Sequence, residues 1–221
     1  MKYPSTVRLL GKSHSLLNQF MAEIRDVEIQ QDNMRFRHNL ERIGEIFAYE
    51  ISKELAYAEK EVVTSLGIAK VPVLTSSPVL ATILRAGLPF HQGFLKFFDH
   101  ASNAFISAYR MAHKDGTFSM SVEYASSTMI DGKVLIICDT MMASGSSMLH
   151  AYKELTARGN PSHVHIASIL SSMEAVNHLR KSIPKKNITF WMGDIDEELT
   201  AQLFLVPGLG DAGDLAFGEK N

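Results

Sequence analysis

The chain has a single cysteine in 221 residues, Cys138, so no intrachain disulfide can form. Neither sign of charge is in marked excess: 22 basic and 24 acidic side chains leave a formal net charge of −2, without the basic footprint of a broad nucleic-acid binder. Phosphate recognition therefore has to be local. No apolar run reaches the roughly 18 residues of a membrane span, and no apolar leader-like segment marks the N-terminus. A soluble cytoplasmic protein with no membrane partner is expected. Internal repeats and low-complexity linkers are absent, as is any Ser-His-Asp or paired-carboxylate arrangement suited to covalent or strong general-base catalysis. Cys138 lies inside an apolar run and reads as a small buried hydrophobe rather than a nucleophile.

With 46% hydrophobic residues, the chain can bury a full core as one domain over 1–221. Residues 1–70 read as a helical N-terminal region: between Asn33 and Leu55, Phe36, Leu40, Ile43, Phe47 and Ile51 recur at spacings of three and four. Leu9, Leu10, Leu16 and Leu17 lack an evident core partner and are candidates for packing on a second subunit, in a homodimer or higher homo-oligomer. From 71 to 185 the pattern becomes strand and helix in alternation. Val79 to Leu84, Ala104 to Tyr109, Val134 to Cys138 and Val164 to Leu170 read as strands, with Gly93 to Phe98 and Ala175 to Lys181 between them. Ile188 to Met192 adds a strand within the C-terminal segment, 186–221. This order predicts an α/β fold with a mostly parallel twisted sheet flanked by helices.

The most informative stretch is VLIICDTMMASGSSM, Val134 to Met148. Its apolar residues run continuously rather than alternating, as in a strand buried on both faces. Asp139 would end that strand, at the edge where ligands of open α/β sheets collect. Ala143, Ser144, Gly145, Ser146 and Ser147 carry little bulk, so their N–H groups and hydroxyls can close around an anion. Met148 to Ala157 reads as a helix stopped by Gly159, its N-terminus aimed at the same place. A phosphorylated ligand is the expectation.

DTMMASGSS closely resembles the phosphoribosyl diphosphate (PRPP) loop of phosphoribosyltransferases, in particular the DPMLATGGS form of uracil phosphoribosyltransferases. The C-terminal stretch FLVPGLGDAGDLAFG, Phe204 to Gly218, is very similar to the closing segment of the same family, sharing PGLGDAGD and the Phe-Gly pair. ILRAGL, ending in Arg85, Ala86, Gly87 and Leu88, matches the family's diphosphate-cradling loop. Tyr109 and Arg110 stand where its YR pair opens a hairpin arm, expected over about 110–128 with a turn at Lys114, Asp115 and Gly116.

The resemblance, which runs from about Phe36 to Gly218, implies the phosphoribosyltransferase fold with a C-terminal hood over the base. It also implies the conversion of uracil and PRPP to UMP and diphosphate, with Mg2+ carried by PRPP rather than bound directly by the protein. Asp139, Arg85, Arg110 and Asp211 would serve catalysis. Asp139, Thr140, Met141, Met142, Ala143, Ser144, Gly145, Ser146 and Ser147, with Arg85, Arg110 and Asp211, would hold PRPP. Leu205, Gly210, Asp211 and Ala212 would read uracil, largely through the main chain.

The chain departs from the family's pattern at several positions. Thr140 replaces a Pro, Ser144 a Thr, Ser146 a Gly, Phe204 a Tyr and Leu215 a basic residue, and Ser171 to Glu174 alters a small-residue segment. Ser146 matters most if its position demands positive φ. These changes keep open a PRPP- or nucleotide-sensing regulator without turnover, or a phosphoribosyltransferase for another base. His163 and His165 could share one face of a strand as metal ligands, although a surface or capping role is favoured because no third ligand accompanies them. Asp194, Asp196, Glu197 and Glu198 read as a solvated acidic turn, with Asp196 matching an acid common in the family.

Overall fold

A computed structural model describes residues 4–112, 118–184 and 186–219, with the backbone alone for 108–112 and 118–124. Strand β1 (Val7–Leu9) is followed by helix α1 (Leu16–Arg25), which starts at a capping box. The Ser15 side chain accepts from the helix backbone, and the Asn18 side chain accepts from the Ser15 N–H. Asp32 caps α2 (Asn33–Ser52) by accepting from the Met34 and Arg35 N–H groups. The face of α2 carrying Phe36, Leu40, Ile43, Phe47 and Ile51 is fully buried, as its periodicity predicts. Next come β2 (Tyr57–Thr64) and β3 (Gly67–Leu74), then β4 (Val79–Leu84) and α3 (Gly87–Leu95). They lead to β5 (Ser102–Ala112), β6 (Phe118–Ser126), β7 (Val134–Met142), α4 (Ser146–Thr156) and β8 (His163–Ser172). The chain closes with α5 (Met173–Ser182), β9 (Ile188–Asp196), β10 (Glu198–Leu199), β11 (Leu205–Val206) and α6 (Ala212–Phe217).

Seven strands form one sheet in the order β1-β9-β8-β7-β4-β5-β6, parallel throughout except where β6 runs antiparallel to β5. Helices cover both faces, as the α/β expectation requires. Alternate residues of β7 serve opposite cores: Ile136 and Cys138 pack toward α1, α2 and α3, while Leu135 and Ile137 pack toward α4 and α5. This two-sided burial is why its apolar run is continuous. On the first face α2 and α3 touch backbone to backbone at Gly44 and Gly93. Phe90 stands edge-on to Phe47 and Phe94 there, at centroid distances of 5.0 and 5.1 Å.

From β4 the chain steps outward to β5, and from β7 it steps the other way to β8 and β9. The order therefore reverses between β4 and β7, the position at which open α/β sheets bind ligands. Pairing between these two strands ends at Thr82↔Cys138, whereas β7 stays paired with β8 as far as Met142↔Ser171. The strands part immediately before Asp139.

Several expectations need correction. The region 1–70 is not helical throughout: β2 and β3 form an antiparallel hairpin, where Val62 and Val63 favour strand and the Thr64 side chain accepts from the Leu66 and Gly67 N–H groups at the turn. Leu17 is buried in the core and Leu9 and Leu10 pack against it, so of the four leucines only Leu16 is exposed. The helix expected at Gly93 to Phe98 begins at Gly87 and ends at Leu95. Strand β7 continues three residues beyond Asp139, because β8 still offers a ladder there. The hairpin arm begins at Ser102, inside the main sheet, with a register irregularity between Ser107 and Ala108. Its expected turn, Lys114 to Gly116, lies outside the described residues.

Candidate active site

A cleft of about 900 Å³ opens at the carboxyl edge of the sheet, over the point where β4 and β7 separate. Three stretches distant in sequence line it: Leu84 to Ala86 at the end of β4, Asp139 with Met141 to Ser147 from the end of β7 into the following loop and helix start, and the C-terminal residues Gln202 to Leu205 and Asp211 to Gly213. The volume is that of a small-molecule site.

The loop after β7 is supported from behind. The carbonyls of Met142, Ala143 and Ser144 accept from Ser171 Oγ, Ser172 Oγ and His178 Nδ1 respectively. An anion-binding loop needs its acceptors tied elsewhere, and here three are. The Ser171-Ser172 pair thus supplies two of the loop's struts, and Ser172 also caps α5 by accepting from Ala175 N–H. Gly145 is the N-cap of α4 with φ +76°. Among the described residues the positive φ values outside glycine fall at Asn187 and Leu203, so Ser146 carries no such strain. Ser146 instead opens the helix, two residues earlier than expected, and its N–H and hydroxyl contact Ser144 Oγ at 3.3 and 3.1 Å.

Asp139 lies on the cleft floor, and enclosure there pushes its carboxyl up to about 7 against the opposing pull of a hydrogen bond from the Thr140 N–H. Thr140 does not face the cleft as its place among PRPP-binding residues implied. It is wholly buried, and its hydroxyl donates to the Ala86 carbonyl at 2.7 Å. The alternation of a strand sends its side chain to the face opposite its neighbours.

Arg85 leaves β4 and reaches across to the C-terminal segment, donating from Nη2 to Asp214 Oδ1 at 3.0 Å. Its Nε is buried with no hydrogen-bond partner, a donor of the kind an incoming phosphate oxygen satisfies. Among the described residues lining the cleft it is the one cation. Gly87 allows this approach, because a Cβ there would stand 2.5 Å from Thr82 Oγ1 and 3.2 Å from the Cys138 carbonyl oxygen. Arg110 continues β5 opposite Met120, past the irregularity, and its side chain lies outside the described residues.

In the C-terminal segment, Leu205 is buried and lines the cleft with Asp211 and Ala212. Asp211 caps α6, Oδ1 accepting from the Gly213 and Asp214 N–H groups at 2.8 and 3.1 Å. Gly210, expected beside them, has φ +93° and open space around it, and does not belong to the lining. Phe204 does line the cleft. Leu215 packs on the hydrophobic core.

Asp194 and Asp196 are not merely a solvated turn. Asp196 is buried and accepts hydrogen bonds from both terminal guanidinium nitrogens of Arg25, a residue without any local signal in the sequence, 171 positions away. The imidazole rings of His163 and His165 stand 4.5 Å apart. His165 is buried rather than on the surface, and burial lowers it to about 3. Its neutral Nδ1 accepts from Trp191 Nε1 at 3.0 Å. Among the described residues no group of three or more His, Cys, Asp or Glu side chains is arranged to hold a metal ion. Burial raises the Cys138 thiol far above its ordinary pKa, consistent with a packing role.

Comparison with known proteins agrees with this geometry. Residues 11–219 match the uracil phosphoribosyltransferase family. A uracil phosphoribosyltransferase of Porphyromonas gingivalis is 54% identical over 211 residues, covering 96% of this chain and 97% of that protein. The solved structure of the AQ2163 protein from Aquifex aeolicus superposes with a TM-score of 0.84 at 26% identity, covering 96% of this chain and 98% of that one. Adenine phosphoribosyltransferase from Leishmania donovani, 14% identical, shares the fold at a TM-score of 0.57, covering 91% of this chain and 89% of the other. The chain belongs to the uracil phosphoribosyltransferase family.

Proposed function

We propose that the protein transfers the phosphoribosyl group of PRPP to uracil, giving UMP and diphosphate in pyrimidine salvage. The observation that carries this reading is the meeting of the Asp139 loop, Arg85 and the glycine-rich C-terminal turn around one cleft. The bond from C1′ to the diphosphate oxygen breaks with its electron pair leaving on diphosphate, N1 of uracil bonds to C1′ with inversion, and the N1 proton passes to the released diphosphate or to solvent water. Catalysis rests on positioning and on stabilising an oxocarbenium-like sugar and a departing anion.

Asp139 accepts hydrogen bonds from the ribose hydroxyls. The amides and hydroxyls of Met142 to Ser147 hold the 5′-phosphate, aided by the N-terminus of α4. Arg85, and Arg110 from the hairpin arm, balance the diphosphate charge. Leu205, Asp211 and Ala212 border the base, and the turn carrying Gly210 belongs to the same reading. Discrimination against cytosine follows from buried polar groups left unpaired, worth up to roughly 10⁴-fold or more. A Mg2+ ion would be carried by PRPP oxygens, with the Asp211 carboxylate on the cleft lining adjacent to it. Bound there, the ion neutralises charge on the leaving diphosphate. A cytoplasmic enzyme assembled as a homodimer or larger homo-oligomer is the corresponding cellular reading. Val63, Leu66 and Ile68, exposed on the β2–β3 hairpin, suit a contact between copies.

The test incubates purified protein with PRPP, Mg2+ and single bases. UMP formation from uracil is expected. Absence of UMP at any enzyme level overturns the proposal; PRPP binding without product then identifies a sensor, and turnover of hypoxanthine or orotate identifies a different base.

A further inference from the structure

We propose that Thr140 is a positioning residue that ties the Arg85 turn to the Asp139 strand, so that both sides of the cleft close on one sugar diphosphate. The inference rests on the PRPP reading above and deepens it.

The ladder between β4 and β7 stops at Thr82↔Cys138, and that between β4 and β5 stops at Leu84↔Ser107. Arg85 and Ala86 therefore lie beyond both sets of strand hydrogen bonds. What crosses the gap is the Thr140 hydroxyl, donating to the Ala86 carbonyl at 2.7 Å between residues 54 apart in sequence. Thr140 is wholly buried, so water does not compete for this bond, and a hydroxyl there without a partner would be costly. The contact it fastens is close: a Cβ at Gly87 would lie 3.5 Å from Asp139 Cα. The same residue acts on Asp139 from the other side, its N–H donating to Oδ1 at 2.7 Å. One buried side chain and its amide thus set the carboxylate that meets the ribose hydroxyls and the turn that presents Arg85 to the diphosphate.

Loosening the link affects the ligand that spans both arms and spares the base. Thr140→Val removes the hydroxyl while keeping the amide and the branched shape, and Thr140→Ser restores the hydroxyl. Thr140→Val is expected to raise the KM for PRPP and the inhibition constant of diphosphate about three- to tenfold, the worth of one net hydrogen bond. The KM for uracil should stay within about twofold, and Thr140→Ser should return the first two constants most of the way. Equal values for Thr140→Val and wild type, equal impairment of Val and Ser, or a parallel loss across PRPP, diphosphate and uracil overturns the proposal. If the Val variant does not fold, Thr140→Ala set against Thr140→Ser makes the same comparison. Calorimetric binding of PRPP to each variant reads the link without turnover, so a wild-type protein that binds PRPP and makes no UMP counts against the proposed activity alone.

Discussion

Arg25, the last residue of α1, grips Asp196, the last residue of β9, with both guanidinium nitrogens, at 2.8 and 3.1 Å. The same guanidinium donates to the Gly208 carbonyl at 2.9 Å, and the Gly208 N–H returns to Asp196 Oδ2 at 3.0 Å. The turn that leads into the cleft-lining residues Asp211 to Gly213 is thereby pinned to the first helix.

Arg25→Met is expected to destabilise the fold by about 3 kcal/mol, since it leaves the buried Asp196 carboxylate without its cation. Arg25→Lys should recover only some of this, because an ammonium cannot make the two-pronged contact. Thermal melts measure the loss. In the folded variant, the KM for uracil should rise more than the KM for PRPP.

Asp139→Asn should trade activity for stability. Burial pushes the Asp139 carboxyl up to about 7 from an ordinary 3.8, so the folded state holds a proton that the unfolded chain has released between those values. Its contribution to stability is present at low pH and is lost as pH rises toward 7, a cost on the order of a few kcal/mol above that point. The Asn variant should melt several degrees above wild type at pH 8, with the gap narrowing below pH 7 and closing toward pH 4. Its kcat/KM for PRPP should fall about 10- to 100-fold, the range for a hydrogen bond to a charged acceptor. Full activity in this variant would contradict the role given to Asp139.

Gly145→Ala places a Cβ on a backbone with φ +76° and 3.1 Å from the Ala175 carbonyl oxygen. A stability loss of about 1–2 kcal/mol is expected from the left-handed conformation. Weaker PRPP binding should accompany it, because the loop shifts away from α5. Denaturant titration and PRPP binding calorimetry measure the two effects.

Gly93→Ala tests the packing beneath the site. A Cβ there would collide with the Glu41 carbonyl oxygen and stand 2.7 Å from the Glu45 nitrogen. The gain in helix propensity, about 1 kcal/mol, should be outweighed by the separation of α2 from α3, so the variant should melt lower.

How far the sequence could be read depended on whether its partners were local. Val134 to Met148 declared a buried strand, an acid and a small-residue loop within one window, and the structure places them in that order. The Arg85 turn and the C-terminal glycine-rich segment were legible through their resemblance to the family's motifs, and both line the cleft. Gly145, rather than Ser146, holds the positive φ, a distinction that two adjacent small residues cannot reveal. Ser171, Ser172 and His178 gave no sign of their role, because the carbonyls they hold lie about thirty residues away.

Hydrophobic periodicity, capping residues and turn chemistry act over a few positions, and they determined the α/β alternation, the strand ahead of Asp139 and the motifs of the site. Strand order is decided otherwise, by which apolar faces bury one another once the chain collapses. Only that order brings β4 beside β7 and lets them part before Asp139. Through it Thr140 turns inward to Ala86, Arg25 meets Asp196 across the molecule, and Arg85 reaches Asp214. Each is a hydrogen bond between groups far apart along the chain, whose geometry exists only after packing has placed both partners.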